Sequence, residues 1–304
     1  MTSPLYESLA RLLTEQRNPM SMDLDALSVP EILRLINAQD KLVPLAVERE
    51  IPYIARAIEL IVDSLKQGGR LIYVGAGTSG RLGVVDASEC PPTFGSDPSM
   101  VQGIIAGGRE AMFRSQEGAE DRPENGKMEM DRLGVGARDT VCGIAASRRT
   151  PYVVAAIARA RELGAHTVYL TTNPRSEFNL EVDVAICPEV GPEVVMGSTR
   201  MKSGTAQKLV LNMLTTTAMV CLGKVFENMM VDLQLTNQKL VERSKRILTI
   251  ATGVDHATAA ATLEAAGGHV KTAMVMIMAQ VPFEEARQRL ERADGFVRRA
   301  VELR

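Results

Sequence analysis

From Arg70 onward the chain repeats one pattern, a short β-rich run followed by a helical stretch. The runs are Arg70–Val74, Val101–Ala106, Thr140–Ala145, Thr167–Thr171 and Val182–Cys187. Alternation of this kind predicts a parallel sheet flanked by helices, an α/β fold in three layers. Between the second and third runs, Arg109–Leu133 carries many charges and reads as a solvated helical crossover. Pro151–Leu163 is a cleaner amphipathic helix ended by Gly164. With 45% hydrophobic and 24% charged residues among 304, the chain has material for a buried core without a disulfide or metal staple, and wholesale disorder is excluded.

The sheet pattern is flanked by helix on both sides. Residues 1 to about 69 read as helical: Pro30-Glu31-Ile32 opens one helix, and Ile51, Ile54, Ala55, Ile58, Val62 and Leu65 recur at helical spacing up to Gly68-Gly69. After Lys239 come short Ala-, Met- and charge-rich segments, Asp255–Ala266, His269–Gln280 and Phe283–Ala293, too short to stand alone. Residues 1–240 are therefore expected to form one domain, and residues 241–304 a small C-terminal module of three helices. The apolar run Leu209–Gly223 is interrupted by Asn212 and bounded by Lys208 and Lys224. It falls short of the roughly 20 residues needed to cross a bilayer, so it predicts a core or interface helix rather than a membrane partner. Its stripe, Leu209, Met213, Met219 and Val225, predicts a homodimer whose interface completes both sites.

Charge and composition narrow the partners. Against 35 basic residues stand 37 acidic ones, a net charge of -2, so no bulk positive field attracts nucleic acid. Aromatic residues are 4% and Trp is absent, which argues against base stacking. Cys90, Cys142, Cys187 and Cys221 lie far apart, and His166, His256 and His269 form no ligand spacing, so neither a metal nor a cofactor is expected. Dispersed thiols and an N-terminus, MTSPLYESLARLL, without a basic-then-apolar leader predict a reducing cytoplasm.

Three loops carry hydroxyls where a parallel sheet gathers ligands. After the first run, Gly75-Ala-Gly77-Thr78-Ser79-Gly80-Arg-Leu-Gly83 combines glycines, a helix N-terminus and two hydroxyl donors, the composition of a phosphate cradle. It also matches GxGxxG, but a dinucleotide site wants an acid closing the second strand, and that strand runs into Gly107-Gly108-Arg109. After the third run, Ser147 and Thr150 are placed either as donors to a ligand or as an ordinary helix cap. The run Gly197-Ser198-Thr199-Arg200-Met201-Lys202-Ser203-Gly204-Thr205 is either an anion site or a well-capped helix start.

Carboxylates are the acid-base groups left once no Ser-His-Asp arrangement is found. Glu89, in Asp86-Ala-Ser-Glu89-Cys-Pro91-Pro92, sits beside a diproline expected to form a rigid turn. In Glu117-Gly-Ala-Glu120-Asp121-Arg-Pro-Glu124 the charges are spaced to share one helical face, either catalytic or simply solvated.

GAGTSGRLGVVDASECPPTFG at 75–95, IIAGG followed by EGAED at 117–121, and GPEVVMGSTRMKSGTAQKLVLN at 191–212 closely resemble the N-acetylmuramic acid 6-phosphate etherases, as do TEQRNP at 14–19, DKLVPLA at 40–46 and TNQKL at 236–240. The resemblance covers most of the chain. It implies a sugar isomerase (SIS) fold whose loops hold a small phosphosugar, here Gly77, Thr78, Ser79, Ser147, Ser198 and Thr199, and a helical, UBA-like tail. It implies cleavage of the D-lactyl ether at C3 of the sugar, giving N-acetylglucosamine 6-phosphate and D-lactate in cell-wall recycling, without metal or redox cofactor. By resemblance Glu89 protonates the departing lactate and Glu120 handles the C2 proton. One position departs from the family pattern ASGRTPY: Arg148 stands where that pattern has glycine. If the glycine takes positive φ, Arg148 strains or crowds the loop; otherwise its guanidinium faces solvent or assists an anion. SIS folds also serve in non-catalytic phosphosugar sensors, which have no need of both Glu89 and Glu120.

Overall fold

The computed structural model describes residues 12–233 and 238–303. The helical reading of residues 1–11, and Thr236 and Asn237 of the TNQKL motif, lie outside the described residues. Residues 13–26 form three short 3-10 turns rather than regular helix. Helix α1 (Val29–Asp40) starts where Ser28 and Glu31 cap each other reciprocally, with Pro30 in the first turn. Next come α2 (Leu42–Glu48) and α3 (Ile51–Lys66), which buries Ile54, Ala57, Ile58, Ile61 and Leu65. Ile51 and Ala55, read into that stripe, are exposed.

The five expected strands are present: β1 (Leu71–Gly75), β2 (Val101–Ile105), β3 (Thr140–Ile144), β4 (His166–Leu170) and β5 (Val184–Ile186). They form one parallel sheet in the order β2-β1-β3-β4-β5. β1 and β3 are buried throughout, as befits strands covered on both faces. Because the chain crosses from β1 outward to β2 and then back to β3, the loops after β1 and β3 diverge at the carboxyl edge. Open α/β sheets bind ligands at such a switch point.

The crossovers include α4 (Gly77–Phe94), α5 (Pro123–Arg132) and α6 (Pro151–Glu162), and α7 (Lys202–Cys221) follows the last strand of the sheet. Two local expectations are corrected. Pro91 and Pro92 do not make a turn; they lie in the last turn of α4. Their rings forfeit N–H groups only near the helix end, and Gly95 closes the helix beyond them at φ +59, its N–H donating to the Pro91 carbonyl at 2.9 Å. Likewise, Glu117–Glu124 share no helical face. Residues 113–121 form turns, because Gly118 takes φ +70 and Pro123 sets the start of α5.

The described residues divide into two compact units, one made of those up to Ser88 with Ser99–Thr215, the other of Glu89–Pro98 with those from Thr216 onward. The second unit contains a hairpin of β6 (Val225–Phe226) and β7 (Met229–Met230). Its helices are α8 (Gln238–Thr252), α9 (His256–Ala265), α10 (Val270–Ala279), α11 (Phe283–Arg292) and α12 (Val297–Glu302). The three helices read from sequence are α9 to α11; α8 and α12 join them around a core that includes Leu248, Ala259, Leu263, Met274 and Leu290. No described helix is long and apolar enough to cross a membrane.

Candidate active site

The loop after β1 turns directly into α4, and glycine is required there twice. Gly77 opens the helix at φ +52, a conformation that side chains disfavour. A Cβ on Gly80 would fall 2.6 Å from Ile105 Cγ1 and 2.9 Å from the Gly75 carbonyl carbon. Its absence lets the start of α4 press against β1 and β2, so the first N–H groups of the helix, which have no carbonyl partner within it, stand at the sheet's carboxyl edge.

A cavity of about 150 Å³ opens at this point, lined by Gly77, Arg81, Ser115, Gln116 and Glu120 among others. Arg81, one helical turn into α4, donates its Nε–H to the Met112 carbonyl at 3.2 Å. It is a cation beside the phosphate loop that attention to hydroxyls passed over. The turn holding Glu120 is tied to the start of α6 by the Tyr152 N–H, which donates to the Glu120 carbonyl at 3.0 Å. Partial burial, then the neighbouring charges of Asp121 and Glu117, raise the Glu120 carboxyl above the usual carboxylate range. The structure thus brings Gly77 and Glu120 to one cavity.

Glu89 lies on α4 with its side chain exposed, in the second unit. One turn earlier, Asp86 accepts from Tyr73 Oη at 3.0 Å and Thr215 Oγ1 at 3.3 Å, and burial raises its carboxyl.

At the second loop Ser147 Oγ accepts from the Arg149 N–H at 3.4 Å, while Thr150 makes no side-chain cap. Arg148 takes φ +58, the conformation the glycine of the pattern would favour. Its guanidinium neither faces solvent nor lines the cavity: it pairs with Glu177 at 3.5 Å and is 18% exposed. Its Nη1 is buried without a hydrogen-bond partner among the described residues, as is Tyr169 Oη.

The third loop leads into a capped helix start, and the cap is a residue that sequence reasoning missed. Glu193, wholly buried, accepts from the N–H groups of Lys202 and Ser203, both at 2.9 Å. Lys202, also buried, donates from Nζ to Gln39 Oε1 at 3.0 Å and to the Val190 carbonyl at 2.8 Å, and burial lowers its pKa. Asn18 donates to Gln39 at 2.9 Å and to the Pro192 carbonyl at 3.0 Å. Residues from two distant motifs, 14–19 and 191–212, therefore meet in one buried network. Ser198 and Thr199 lie in the turn before α7, partly exposed.

This run adjoins the phosphate loop. A Cβ on Gly204 would stand 3.4 Å from Thr78 Cγ2 and 3.6 Å from the Thr199 carbonyl oxygen. Gln207, next along the same face of α7, accepts from Ser79 Oγ at 3.0 Å. It too went unnoticed in the sequence, where the only signal was an amide opening an apolar run.

A larger cavity, about 610 Å³, lies in the second unit beside Lys224, Asp232, His269 and Lys271. Its buried cation is already committed: Lys271 donates to Asp232 at 2.8 Å and to the carbonyls of Gly223 and Gly295, both at 3.2 Å, leaving none of its three donors for a ligand. The site is better placed at the sheet edge.

The family model of the glucokinase regulatory protein N-terminal SIS domain matches residues 53–161. An N-acetylmuramic acid 6-phosphate etherase of Salinibacter ruber is 63% identical over 302 residues, covering 99% of this chain and 97% of that protein. Another, from a Geobacillus species, is 52% identical over 294 residues, covering 97% of this chain and all of its own. Among solved structures, a phosphoheptose isomerase from Neisseria gonorrhoeae is similar at 16% identity and a TM-score of 0.44, over 64% of this chain and 99% of that one.

Proposed function

Because the chain belongs to the N-acetylmuramic acid 6-phosphate etherases, we propose that it cleaves the D-lactyl ether of that phosphosugar by elimination and hydration, giving N-acetylglucosamine 6-phosphate and D-lactate. The observation that carries the site assignment is the cavity joining the start of α4 to Glu120, a phosphate-binding helix end beside a carboxyl of raised pKa.

The chemistry follows from the open-chain sugar. Its C1 aldehyde acidifies the C2 proton, so Glu120, as carboxylate, removes that proton, and the electron pair forms a C2–C3 double bond. The C3–O bond breaks as Glu89, as acid, protonates the departing lactate oxygen. Water then adds at C3 of the unsaturated aldehyde, and a proton returns to C2. A raised pKa suits Glu120 to this exchange, because a base whose pKa lies nearer neutrality holds the proton more firmly in the transition state. Gly77, Thr78 and Ser79 hold the phosphate, Arg81 adds a positive charge beside it, and Ser147, Ser198 and Thr199 contact the sugar. Residues 1–240 carry this chemistry, and residues 241–304 form an appended helical, UBA-like module. A second copy of the chain completes each site, and the buried thiols of Cys90, Cys142 and Cys187 suit a reducing cytoplasm.

Incubating the protein with N-acetylmuramate 6-phosphate and assaying D-lactate tests the reading directly. Release of one lactate per N-acetylglucosamine 6-phosphate is expected. Tight binding of the phosphosugar without any lactate would make the protein a sensor instead.

A further inference from the structure

We propose that Gln207 is a positioning residue for the substrate phosphate, acting through Ser79; the proposal rests on the phosphosugar reading above. Gln207 is 1% exposed, and its Oε1 accepts the single hydroxyl proton of Ser79 at 3.0 Å. Its Nε2 is buried and has no hydrogen-bond partner among the described residues. The orphaned donor does not suit a purely structural amide. A buried amide in a settled core has both ends satisfied, and an apolar side chain of similar shape would fill the space without an orphaned donor.

The arrangement has a consequence for the phosphate loop. A phosphate at the start of α4 offers only acceptors, so Ser79 assists it only by donating its hydroxyl hydrogen. In the orientation observed, that hydrogen is held by Gln207. A half-turn of the terminal amide exchanges the two ends: Nε2 then donates to Ser79 Oγ, and the Ser79 hydroxyl is released toward the phosphate. Each partner can take either role, Gln207 by turning its amide and Ser79 by turning its hydroxyl, so the hydrogen bond between them survives with its direction reversed. Ligand binding and amide orientation are thereby coupled, and the loop discriminates a phosphorylated from an unphosphorylated sugar partly through a residue that never touches either. Gly204, one turn earlier on α7, faces Thr78, so this face of the helix lies along the phosphate loop.

The test compares N-acetylglucosamine 6-phosphate with N-acetylglucosamine by titration calorimetry on the full chain, with Gln207→Met, Gln207→Glu, Ser79→Ala and the double variant Gln207→Met/Ser79→Ala. The unmodified protein prefers the phosphosugar. Gln207→Met loses about tenfold in phosphosugar affinity with no loss of thermal stability. Gln207→Glu loses more, because its carboxylate only accepts from Ser79 and repels the phosphate. In the Ser79→Ala background, Gln207→Met has no further effect. Unaltered phosphate preference in both Gln207 variants, or losses from Gln207→Met and Ser79→Ala that simply add, would overturn the role of Gln207 and leave the phosphosugar reading standing. A protein without any preference for the phosphosugar would overturn both.

Discussion

The proposed role of Glu120 as base ties local electrostatics to catalysis. Burial and the like charges of Asp121 and Glu117 raise its pKa, and a base works only above its pKa. The acid limb of the pH profile of kcat/KM should therefore lie above the ordinary carboxylate range. Replacing Asp121 by Asn and Glu117 by Gln removes two of the three causes, so the limb should move to lower pH; a limb that stays put would take Glu120 out of the role of base. Arg148 poses a different question, because it holds a left-handed backbone conformation that costs a residue with a Cβ roughly 1–2 kcal/mol. Arg148→Gly and Arg148→Ala both delete the side chain, but only alanine retains the penalty. The glycine variant should be the more stable of the two by about 1 kcal/mol in denaturant unfolding, and equal stabilities would mean that the loop relaxes. At this scale the glycine loop and the anomaly at 148 were legible in the sequence. It concealed Glu193, Gln207 and Arg81, whose roles depend on which distant segments meet.

Elements were legible wherever the pattern was periodic. All five strands lie within two residues of the runs read for them, since buried parallel strands are continuous apolar stretches and glycines punctuate their ends. Turns were harder. Pro91-Pro92 read as a break only until the preceding turns of α4 and the cap at Gly95 were seen to carry the helix past them. The acidic stretch at 117–124 read as helix because spacing alone does not register that Gly118 has left the helical region. In the second unit the elements are held by a buried ionic cluster: burial would raise the Asp232 carboxyl, yet His269, Lys271 and Lys224 hold it down to about 2. That depression stabilises the fold above the ordinary carboxylate range and is lost as pH falls toward about 2. Asp232→Asn leaves Lys271 buried without its counter-charge, and should cost about 3–5 kcal/mol in unfolding free energy at neutral pH. A change under 1 kcal/mol would show that Lys271 finds another partner.

At the scale of the whole molecule the sequence suggested an apolar stripe for assembly. The stripe Leu209, Met213, Met219 and Val225 does not form a continuous apolar surface: Met219 is wholly buried, and Val225 pairs in the β6–β7 hairpin. Exposed apolar side chains also lie on α1 and α2, at Val29, Leu33, Leu42 and Leu45. The cavity at the sheet edge, about 150 Å³, is smaller than the roughly 300–1,000 Å³ typical of small-molecule sites, which fits a site completed by a second copy. Leu33→Glu with Leu45→Glu should give an inactive monomer by light scattering; a fully active monomer would assign each site to one chain.

The proposed reaction breaks the ether by elimination across C2 and C3, with Glu120 and Glu89 as the proton-handling pair. The most direct test is to run the reaction to completion in heavy water enriched in oxygen-18 and to locate both isotopes in the products. Deuterium is expected at C2 and solvent oxygen at C3 of N-acetylglucosamine 6-phosphate, with the ether oxygen retained in lactate, and Glu120→Gln or Glu89→Gln should lose about 10²- to 10⁴-fold in turnover. Product that keeps its original C2 hydrogen, or lactate that carries the solvent oxygen, would contradict it.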